Sequence, residues 1–289
     1  MSFLKKLKYG YIWRRIFTER LTEPLHLNLL AGFVLLFGSY RAKIAFDLIL
    51  RPQHAFGLLK AADRASRLGL KAVSVIEFGV AAGAGLMNIQ RIAGRIMKIT
   101  GIRFDIYGFD NLTGMPPHRD YRDHPDLYRE GDFPMNYDLL RKKLHPNVRV
   151  IRGNIKDRIK TFLEQLSPEA PVGFVSVDVD YYSSTADALT VFDGDPANYL
   201  DLVYLYFDDI HEEEHNHRCG ELLAVDEFNG RHDRRIIEPH VFLASRRVFK
   251  QAAWLKHIYF LHVLDHKHRN ETHDGDCRTL DNPYLRNTK

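Results

Sequence analysis

The chain has 289 residues, of which 45% are hydrophobic and 27% charged, which is typical of a globular protein and excludes a disordered one. Its net charge of +4 is small for this length, and basic residues are dispersed among nearly as many acidic ones, so the sequence indicates no nucleic-acid partner. The two cysteines, Cys219 and Cys277, are too few for a disulfide framework or a paired zinc motif, so we expect a cytoplasmic protein.

The first 50 residues are predicted to form a helical extension. Residues 1–20 interleave six basic side chains with aromatic and aliphatic ones, and residues 25–37 form an apolar run. That run is shorter than the roughly 20 residues of a membrane span, and it lacks the cleavage site of a signal peptide. Two interpretations stay open. The favoured one is a helical lid or dimerisation element on the main domain; the other is peripheral contact of residues 1–40 with the inner face of an anionic membrane.

Strands and helices alternate along the main domain, which we place at residues 51–265, with a polar tail over residues 266–289. Helices are predicted over residues 54–68, 86–100, 137–144, 155–166 and 184–192, and strands over residues 73–78, 104–109, 148–152, 172–177 and 202–207. This order predicts an α/β fold with a doubly wound, mostly parallel sheet. The polar stretch over residues 111–136 is longer than an ordinary connection, so we expect an active-site loop there.

A glycine cluster follows the first predicted strand. Glu77 lies near the end of that strand, Gly79, Gly83 and Gly85 follow it, and the second strand is followed by Asp110. Glycines allow a ligand to approach the backbone, and an acid at the second strand end can accept hydrogen bonds from ribose hydroxyls. The pattern predicts a nucleoside-binding crevice, and it resembles the first motif of class I S-adenosylmethionine-dependent methyltransferases. An ordinary strand-to-helix turn is the alternative.

Four carboxylates follow the next two neighbouring strands. Asp178 and Asp180 end the fourth predicted strand, and Asp208 and Asp209 end the fifth. Because the ends of adjacent parallel strands lie close together, we expect these side chains to converge and to repel one another unless a cation or protons neutralise them. Oxygen ligands suit a hard ion such as Mg²⁺. The alternative is that Asp180 and Asp208 cap the helices that follow.

Five segments together resemble the macrocin O-methyltransferase (TylF-like) family, in that family's order and over roughly residues 55–260. They are Ile76-Glu-Phe-Gly-Val-Ala-Ala-Gly83, Tyr107-Gly-Phe-Asp-Asn-Leu-Thr-Gly-Met-Pro116, Val177-Asp-Val-Asp-Tyr-Tyr-Ser-Ser-Thr185-Ala-Asp-Ala-Leu189, Phe207-Asp-Asp209 and Leu223-Ala-Val-Asp-Glu-Phe228. The first segment is shared by many methyltransferases, whereas the second and third together are more discriminating. The resemblance implies a Rossmann-like class I methyltransferase fold.

Members of that family methylate a sugar hydroxyl, using S-adenosylmethionine and Mg²⁺. The resemblance therefore implies that Asp178, Asp208 and Asp209 hold the metal and that Asp180 is the general base. The expected cofactor-binding residues are Glu77, Gly79, Ala81, Gly83, Asp110, Gly153 and Asp178. A base is chemically required because an aliphatic hydroxyl is a poor nucleophile unless its proton is removed as the bond to the methyl group forms.

The sequence departs from the family at two places. Arg158 stands where the family tends to have a threonine, close to Gly153. After Asp209 the chain inserts a segment containing His211, His215 and His217, which could bind a transition metal if it were helical, although a solvated acidic loop is favoured. In the tail, His266, His268, His273 and Cys277 are interpreted as surface residues rather than a metal site.

The expected activity is O-methylation of a sugar hydroxyl on a glycan, a glycolipid precursor or a glycosylated metabolite. Two alternatives stay open: an enzyme of the same fold acting on a phenolic or catechol acceptor, and a non-catalytic, membrane-associated protein that binds S-adenosylmethionine. The sequence leaves the acceptor and the oligomeric state open, homo-oligomers included.

Overall fold

The computed structural model describes Trp13 and residues 16–272. Most of the predicted basic stretch at the N-terminus, and His273 and Cys277 of the tail, lie outside the described residues. Seven strands form one sheet: β1 (Ala72–Phe78), β2 (Arg103–Asp110), β3 (Val148–Arg152), β4 (Val172–Val177), β5 (Tyr199–Phe207), β6 (Arg235–Pro239) and β7 (Ile258–Val263). The described helices are α1 (Leu25–Phe37), α2 (Tyr40–Ala45), α3 (Pro52–Arg67), α4 (Ala84–Thr100), α5 (Tyr137–Arg141), α6 (Ile155–Leu163), α7 (Tyr182–Leu189) and α8 (Gly220–Arg231), alongside short π-helical and 3-10 turns.

The strand order is β3-β2-β1-β4-β5-β7-β6. Strands β3, β2, β1, β4 and β5 pair in parallel, whereas β7 pairs antiparallel with both β5 and β6. The order reverses between β1 and β4, which is where ligands bind in sheets of this kind. The predicted doubly wound, mostly parallel α/β fold is confirmed, and β6 and β7 are strands that the sequence analysis did not predict.

Both faces of the sheet are covered, as the alternation along β1 shows. All seven residues of β1 are buried. Val73 and Val75 pack in one core cluster with α3 and α4, whereas Ile76 and Phe78 pack in a second cluster with α6, α7 and α8. Successive side chains of a strand point to opposite faces, so Glu77 points to the α4 side, where the chain enters that helix.

Helix ends account for most of the differences from the predicted boundaries. The helix predicted over residues 137–144 ends at Arg141, and the one over residues 155–166 ends at Leu163. The helix predicted from residue 184 begins at Tyr182 and continues beyond Leu189 as a 3-10 turn, Thr190–Phe192. Within residues 111–136 the regular structure is a 3-10 turn, Tyr121–Asp123. Among the described helices, none has the length and apolar character that crossing a membrane requires.

Candidate functional site

A cavity of about 720 Å³ opens at the carboxyl ends of β1, β2 and β4. Six of the seven predicted cofactor-binding residues line it, namely Glu77, Gly79, Ala81, Asp110, Gly153 and Asp178. The seventh, Gly83, does not: a Cβ built on it would lie 2.4 Å from Leu140 Cδ1, so this glycine allows α5 to pack against the start of α4. Arg158 also lies outside the cavity lining, with its guanidinium against Gly153.

Gly79, in the loop after β1, and Gly85, in the first turn of α4, are both required by close approaches. Gly79 has a φ of +81°, and a Cβ there would lie 1.7 Å from the Asp178 carbonyl oxygen. A Cβ on Gly85 would lie 2.0 Å from Glu77 Oε1. Since real Cβ atoms do not approach other heavy atoms this closely, any side chain at either position would displace the residues that line the cavity.

The Asp110 carboxylate joins β2 to the loop after β1, residues 79–83. We call this segment the glycine loop. Its Oδ2 accepts hydrogen bonds from the backbone N–H groups of Val80 at 3.1 Å and Ala81 at 2.8 Å, and its Oδ1 accepts one from Leu112 at 2.6 Å. The sequence analysis assigned Asp110 to the ribose hydroxyls. In the structure Asp110 also fixes the conformation of the glycine loop. It lines the cavity, and its binding to the ribose hydroxyls stays a prediction.

Glu77 is a buried acid at the base of the cavity. Its side chain is almost fully enclosed, and its Oε2 has no hydrogen-bond partner among the described residues. Burial, reinforced by the neighbouring Asp178 carboxylate, raises the pKa of Glu77 well above its usual range, while Arg51 opposes this shift. A buried polar atom without a partner is costly, so this oxygen is suited to a hydrogen-bond donor of a bound ligand.

The predicted carboxylate cluster is present. Asp178, Asp208 and Asp209 each place one oxygen within 4.8 Å of the others, a grouping among residues 16–272 that could hold a metal ion. Val177 and Phe207 are paired across β4 and β5, so the aspartates that follow them are brought together by the sheet register. Burial, together with repulsion from neighbouring carboxylates, raises the pKa of Asp178 to about 8 and that of Asp209 to about 9.

Asp180 lies beside this cluster but outside the three-oxygen group. It has a φ of +59°, a left-handed conformation that is uncommon for a residue other than glycine. Its carboxylate lies near the Tyr128 hydroxyl, and it lines the cavity. Burial raises the pKa of Asp180 to about 6, even though the interaction with the Tyr128 hydroxyl lowers it. Strained backbone at a cavity wall is frequently associated with function.

Three residues of the site were missed by the sequence analysis. Glu221, at the start of α8, is fully buried, and its Oε2 accepts a hydrogen bond from the backbone N–H of Asp209 at 3.1 Å. Tyr206 donates a hydrogen bond from its hydroxyl to Asp208. Arg51 lines the cavity immediately before α3 and is the cation that faces Glu77 and Asp178. The sequence feature that could have indicated Glu221 as a site residue is an acid at the start of an otherwise apolar helix turn.

The loop over residues 111–136 is tied down on two sides. Asp123 is buried and accepts hydrogen bonds from the backbone N–H of Ser183 at 2.7 Å and from its hydroxyl at 2.9 Å. The imidazole of His124 stacks on that of His215, with ring centroids 4.4 Å apart. These contacts hold the loop over α7 and over the segment that follows β5, beside the cavity.

The inserted segment after Asp209 forms turns rather than a helix. Its histidines have separate neighbours: His211 contacts the Lys256 carbonyl at 3.0 Å, and His217 is exposed and pairs with Asp226 at 2.7 Å. The structure therefore does not bring His211, His215 and His217 together as a transition-metal site. The three glutamates at 212–214 are exposed, as expected of a solvated acidic loop, but His215 is buried.

Comparison with known proteins supports the fold. No protein-family model matches the chain, and no curated protein sequence matches it either. Among solved structures, the calicheamicin methyltransferase CalS11 is 16% identical, with a TM-score of 0.51, over 82% of this chain and 91% of that one.

Two further structures were compared. The apo form of CalS11, described as a TDP-rhamnose 3'-O-methyltransferase, gives a TM-score of 0.42 at 16% identity over 82% of this chain and 93% of that one. The O-methyltransferase TomG from Streptomyces achromogenes, in complex with S-adenosylmethionine, gives a TM-score of 0.41 at 13% identity over 86% of this chain and 93% of that one. At these identities the likeness to CalS11 shows a shared fold, so the Rossmann-like class I methyltransferase fold is confirmed.

Proposed function

We propose that this protein is an S-adenosylmethionine- and Mg²⁺-dependent O-methyltransferase that acts on a sugar hydroxyl. One observation carries the proposal: the carboxylates of Asp178, Asp208 and Asp209 converge, and Asp178 also lines the cavity that the glycine loop borders. A nucleoside-type crevice and a hard-metal site that share Asp178 would bring a methyl donor next to a hydroxyl acceptor.

The cavity fits the proposed cofactor. Its volume lies within the range of small-molecule and cofactor sites, and the unpartnered Oε2 of Glu77 is available to a donor group of the ligand. Gly79 and Gly85 leave room for the Asp178 carbonyl oxygen and for the Glu77 carboxylate, and both of these acidic residues line the cavity. When bound, S-adenosylmethionine supplies an electrophilic methyl group. Glu77 and Asp110, at the ends of β1 and β2, would orient the ligand.

The carboxylate cluster fits a magnesium ion. Its donors are all carboxylate oxygens, which a hard divalent cation prefers, and Asp209 Oδ2 has no hydrogen-bond partner among the described residues. Burial, followed by repulsion between the carboxylates, raises the pKa values of Asp178 and Asp209, and a bound cation would offset both effects. When bound, Mg²⁺ supplies a Lewis acid that lowers the pKa of a coordinated hydroxyl.

Asp180 is placed to accept the proton of the acceptor hydroxyl. It lines the cavity next to the cluster, and its carboxylate lies near the Tyr128 hydroxyl. A pKa near 6 keeps most of this group ionised at neutral pH while leaving it basic enough to take up a proton. The anchored loop over residues 111–136 would limit the access of water to the reacting groups.

The composition of the loop favours a sugar over a phenol. Eleven residues between positions 111 and 133 line the cavity, and Phe133 is the one aromatic residue among them. A catechol acceptor would be served by several aromatic contacts, whereas a sugar needs polar side chains such as Arg119, Glu130 and Asp132. A carboxylate base at the cavity wall argues against a non-catalytic binding protein, which has no need of one.

Methyl transfer from labelled S-adenosylmethionine to two acceptor panels, one of free and nucleotide-linked sugars and one of catechols, tests the proposal. We expect transfer to a member of the sugar panel that stops when Mg²⁺ is removed with EDTA and returns when Mg²⁺ is added back. Transfer confined to catechols would favour the alternative acceptor class. Turnover that is unaffected by EDTA would remove the metal from the mechanism.

A further inference from the structure

Helix α1 presents its more apolar face to solvent. Eight of its 13 residues are exposed, and six of these eight are leucine or phenylalanine, with exposed fractions between 46% and 74%. They are Leu25, Leu29, Leu30, Phe33, Leu36 and Phe37. The fully buried positions carry the smaller side chains of Ala31 and Val34. We call the six exposed residues the outward face of α1.

The outward face is a continuous strip rather than a scatter of side chains. Leu25, Leu29, Phe33 and Phe37 follow one another at intervals of four residues, so they share one side of the helix over about 18 Å. The rings of Phe33 and Phe37 are in contact, with centroids 5.0 Å apart. Single exposed apolar residues are ordinary, but a contiguous apolar strip marks an interaction surface.

The charge of the chain is unevenly distributed along the sequence. Residues 1–51 contain nine of the 41 lysines and arginines but three of the 37 acidic residues, which is a net charge of +6. The remaining 238 residues therefore carry a net charge of −2, since the whole chain carries +4. Basic residues next to exposed leucine and phenylalanine are typical of segments that bind anionic lipid surfaces.

The extension is held firmly at the edge of the sheet where the cavity opens. The Glu23 carboxylate accepts a hydrogen bond from the backbone N–H of Gln251 at 2.8 Å, and the Arg20 guanidinium lies 3.6 Å from the centroid of the Phe249 ring. Both contacts are with the segment that follows β6, a strand parallel to β5. The carboxyl end of β6 therefore lies at the same edge of the sheet as the carboxyl ends of β1 and β4.

We propose that the outward face of α1 docks on an anionic lipid surface, with the basic residues of positions 1–20 adding electrostatic attraction. A helix of 13 residues is about 20 Å long, which is too short to cross a bilayer, so α1 would lie within the interface. A second copy of the chain is the less favourable occupant, because a symmetric contact through this face would bring two segments of net charge +6 together.

Co-sedimentation of the full-length protein with lipid vesicles tests this docking. One set of vesicles is neutral phosphatidylcholine, and the other contains about 30% phosphatidylglycerol. We expect the partition coefficient to be at least about tenfold higher on the anionic vesicles and to fall as salt is added. The double substitution Leu29→Glu and Phe33→Glu should lower it at least about tenfold, because two apolar contacts are lost and two like charges are added.

Leu139→Glu is the matched control, since Leu139 on α5 is 59% exposed and Phe33 is 60% exposed. This variant should bind vesicles as the wild type does. All three proteins should give the same thermal melting curve, because every altered side chain points to solvent. Anionic vesicles that fail to bind the wild type, or that bind the double variant equally well, would overturn the proposal. A second contrary result has two parts: the wild type binds neither kind of vesicle, and light scattering detects a dimer that the double substitution dissociates.

Discussion

The buried carboxylate of Glu221 accepts a hydrogen bond from the backbone N–H of Asp209 at 3.1 Å. This contact joins the start of α8 to the carboxyl end of β5 and fixes the backbone of one of the three clustered aspartates. The other oxygen of Glu221 has no partner among the described residues, and burial, followed by repulsion from Asp209, raises its pKa well above the usual range. Glu221 is thus a positioning residue for the proposed metal site.

Replacing Glu221 with leucine removes the acceptor of the Asp209 N–H, so it should weaken Mg²⁺ binding while leaving the binding of S-adenosylhomocysteine unchanged. Groups that orient metal ligands typically account for about 10–100-fold in metal affinity. The expected result for E221L is therefore an apparent Mg²⁺ affinity at least about tenfold lower, measured from the rise in melting temperature as Mg²⁺ is added. Exposed Glu213 provides the control, since Glu213→Leu should change nothing. Equal Mg²⁺ titrations of wild type and E221L would contradict this role.

The stabilisation by Mg²⁺ should grow with pH. Because the pKa values of Asp178 and Asp209 are raised in the fold to about 8 and about 9, the folded protein binds more protons than the unfolded chain above pH 4. Without metal, stability should therefore fall as the pH rises from about 4 toward these values. A bound cation removes that penalty, so the gap between melting temperatures with and without Mg²⁺ should widen up to about pH 9. A gap that is constant with pH would argue against a metal at this cluster.

Replacing Asp178 with asparagine should abolish turnover, because it removes one proposed metal ligand. The affinity for S-adenosylhomocysteine should stay within a few fold of the wild-type value, since the amide keeps the shape of the cavity wall. Calorimetry and a methyl-transfer assay on the same preparation measure the two effects. A fully active D178N variant would exclude Asp178 from the metal site.

Two buried histidines should make the protein sensitive to acid. Burial lowers the pKa of His215 to about 4 and that of His54 to about 3, so between pH 6.5 and these values the unfolded chain binds more protons than the folded one. Stability should be fully present above about pH 6.5 and fall below it, by up to about 1.4 kcal/mol per pH unit for each group. His215→Phe keeps a flat ring against His124 and should flatten this slope, measured by urea unfolding. An unchanged slope would contradict the lowered pKa of His215 as a source of the acid sensitivity.

Adding a single methyl group at Gly85 should weaken ligand binding. Its Cβ would lie 2.0 Å from Glu77 Oε1, so Gly85→Ala must displace the carboxylate at the base of the cavity, and S-adenosylhomocysteine should bind at least about tenfold more weakly. Gly94 lies in the same helix and has open space where a Cβ would be. Gly94→Ala should therefore leave binding intact and raise stability by about 0.5–1 kcal/mol. Equal ligand affinities for the two variants would contradict the proposed place of Glu77.

The sequence predicts the parts of the site that depend on local pattern and strand order. Strands β3 and β4 have the predicted bounds: β4 is a short buried run, β3 mixes apolar residues with arginines, and both are flanked by turn residues. The convergence of Asp178 with Asp208 and Asp209 follows from the ends of adjacent parallel strands. Neither result needs knowledge of how distant helices pack.

The remaining features depend on contacts between distant segments. Glu221 reaches the cluster through the packing of α8, and His215 is buried by a ring 91 positions earlier in the chain, His124. Gly83 was predicted to bind the cofactor because it belongs to the glycine cluster, yet it makes room for Leu140. A sequence pattern places such a residue near the site but does not say which neighbour it meets.

The methyl donor should bind in the cavity beneath the glycine loop, beside the proposed metal site. Calorimetric titration of S-adenosylhomocysteine into the full-length protein, with and without Mg²⁺, tests this binding most directly because no acceptor is needed. We predict binding at one site with micromolar affinity, which Gly85→Ala weakens and Gly94→Ala does not. No binding by protein that is shown to be folded would contradict the methyltransferase function.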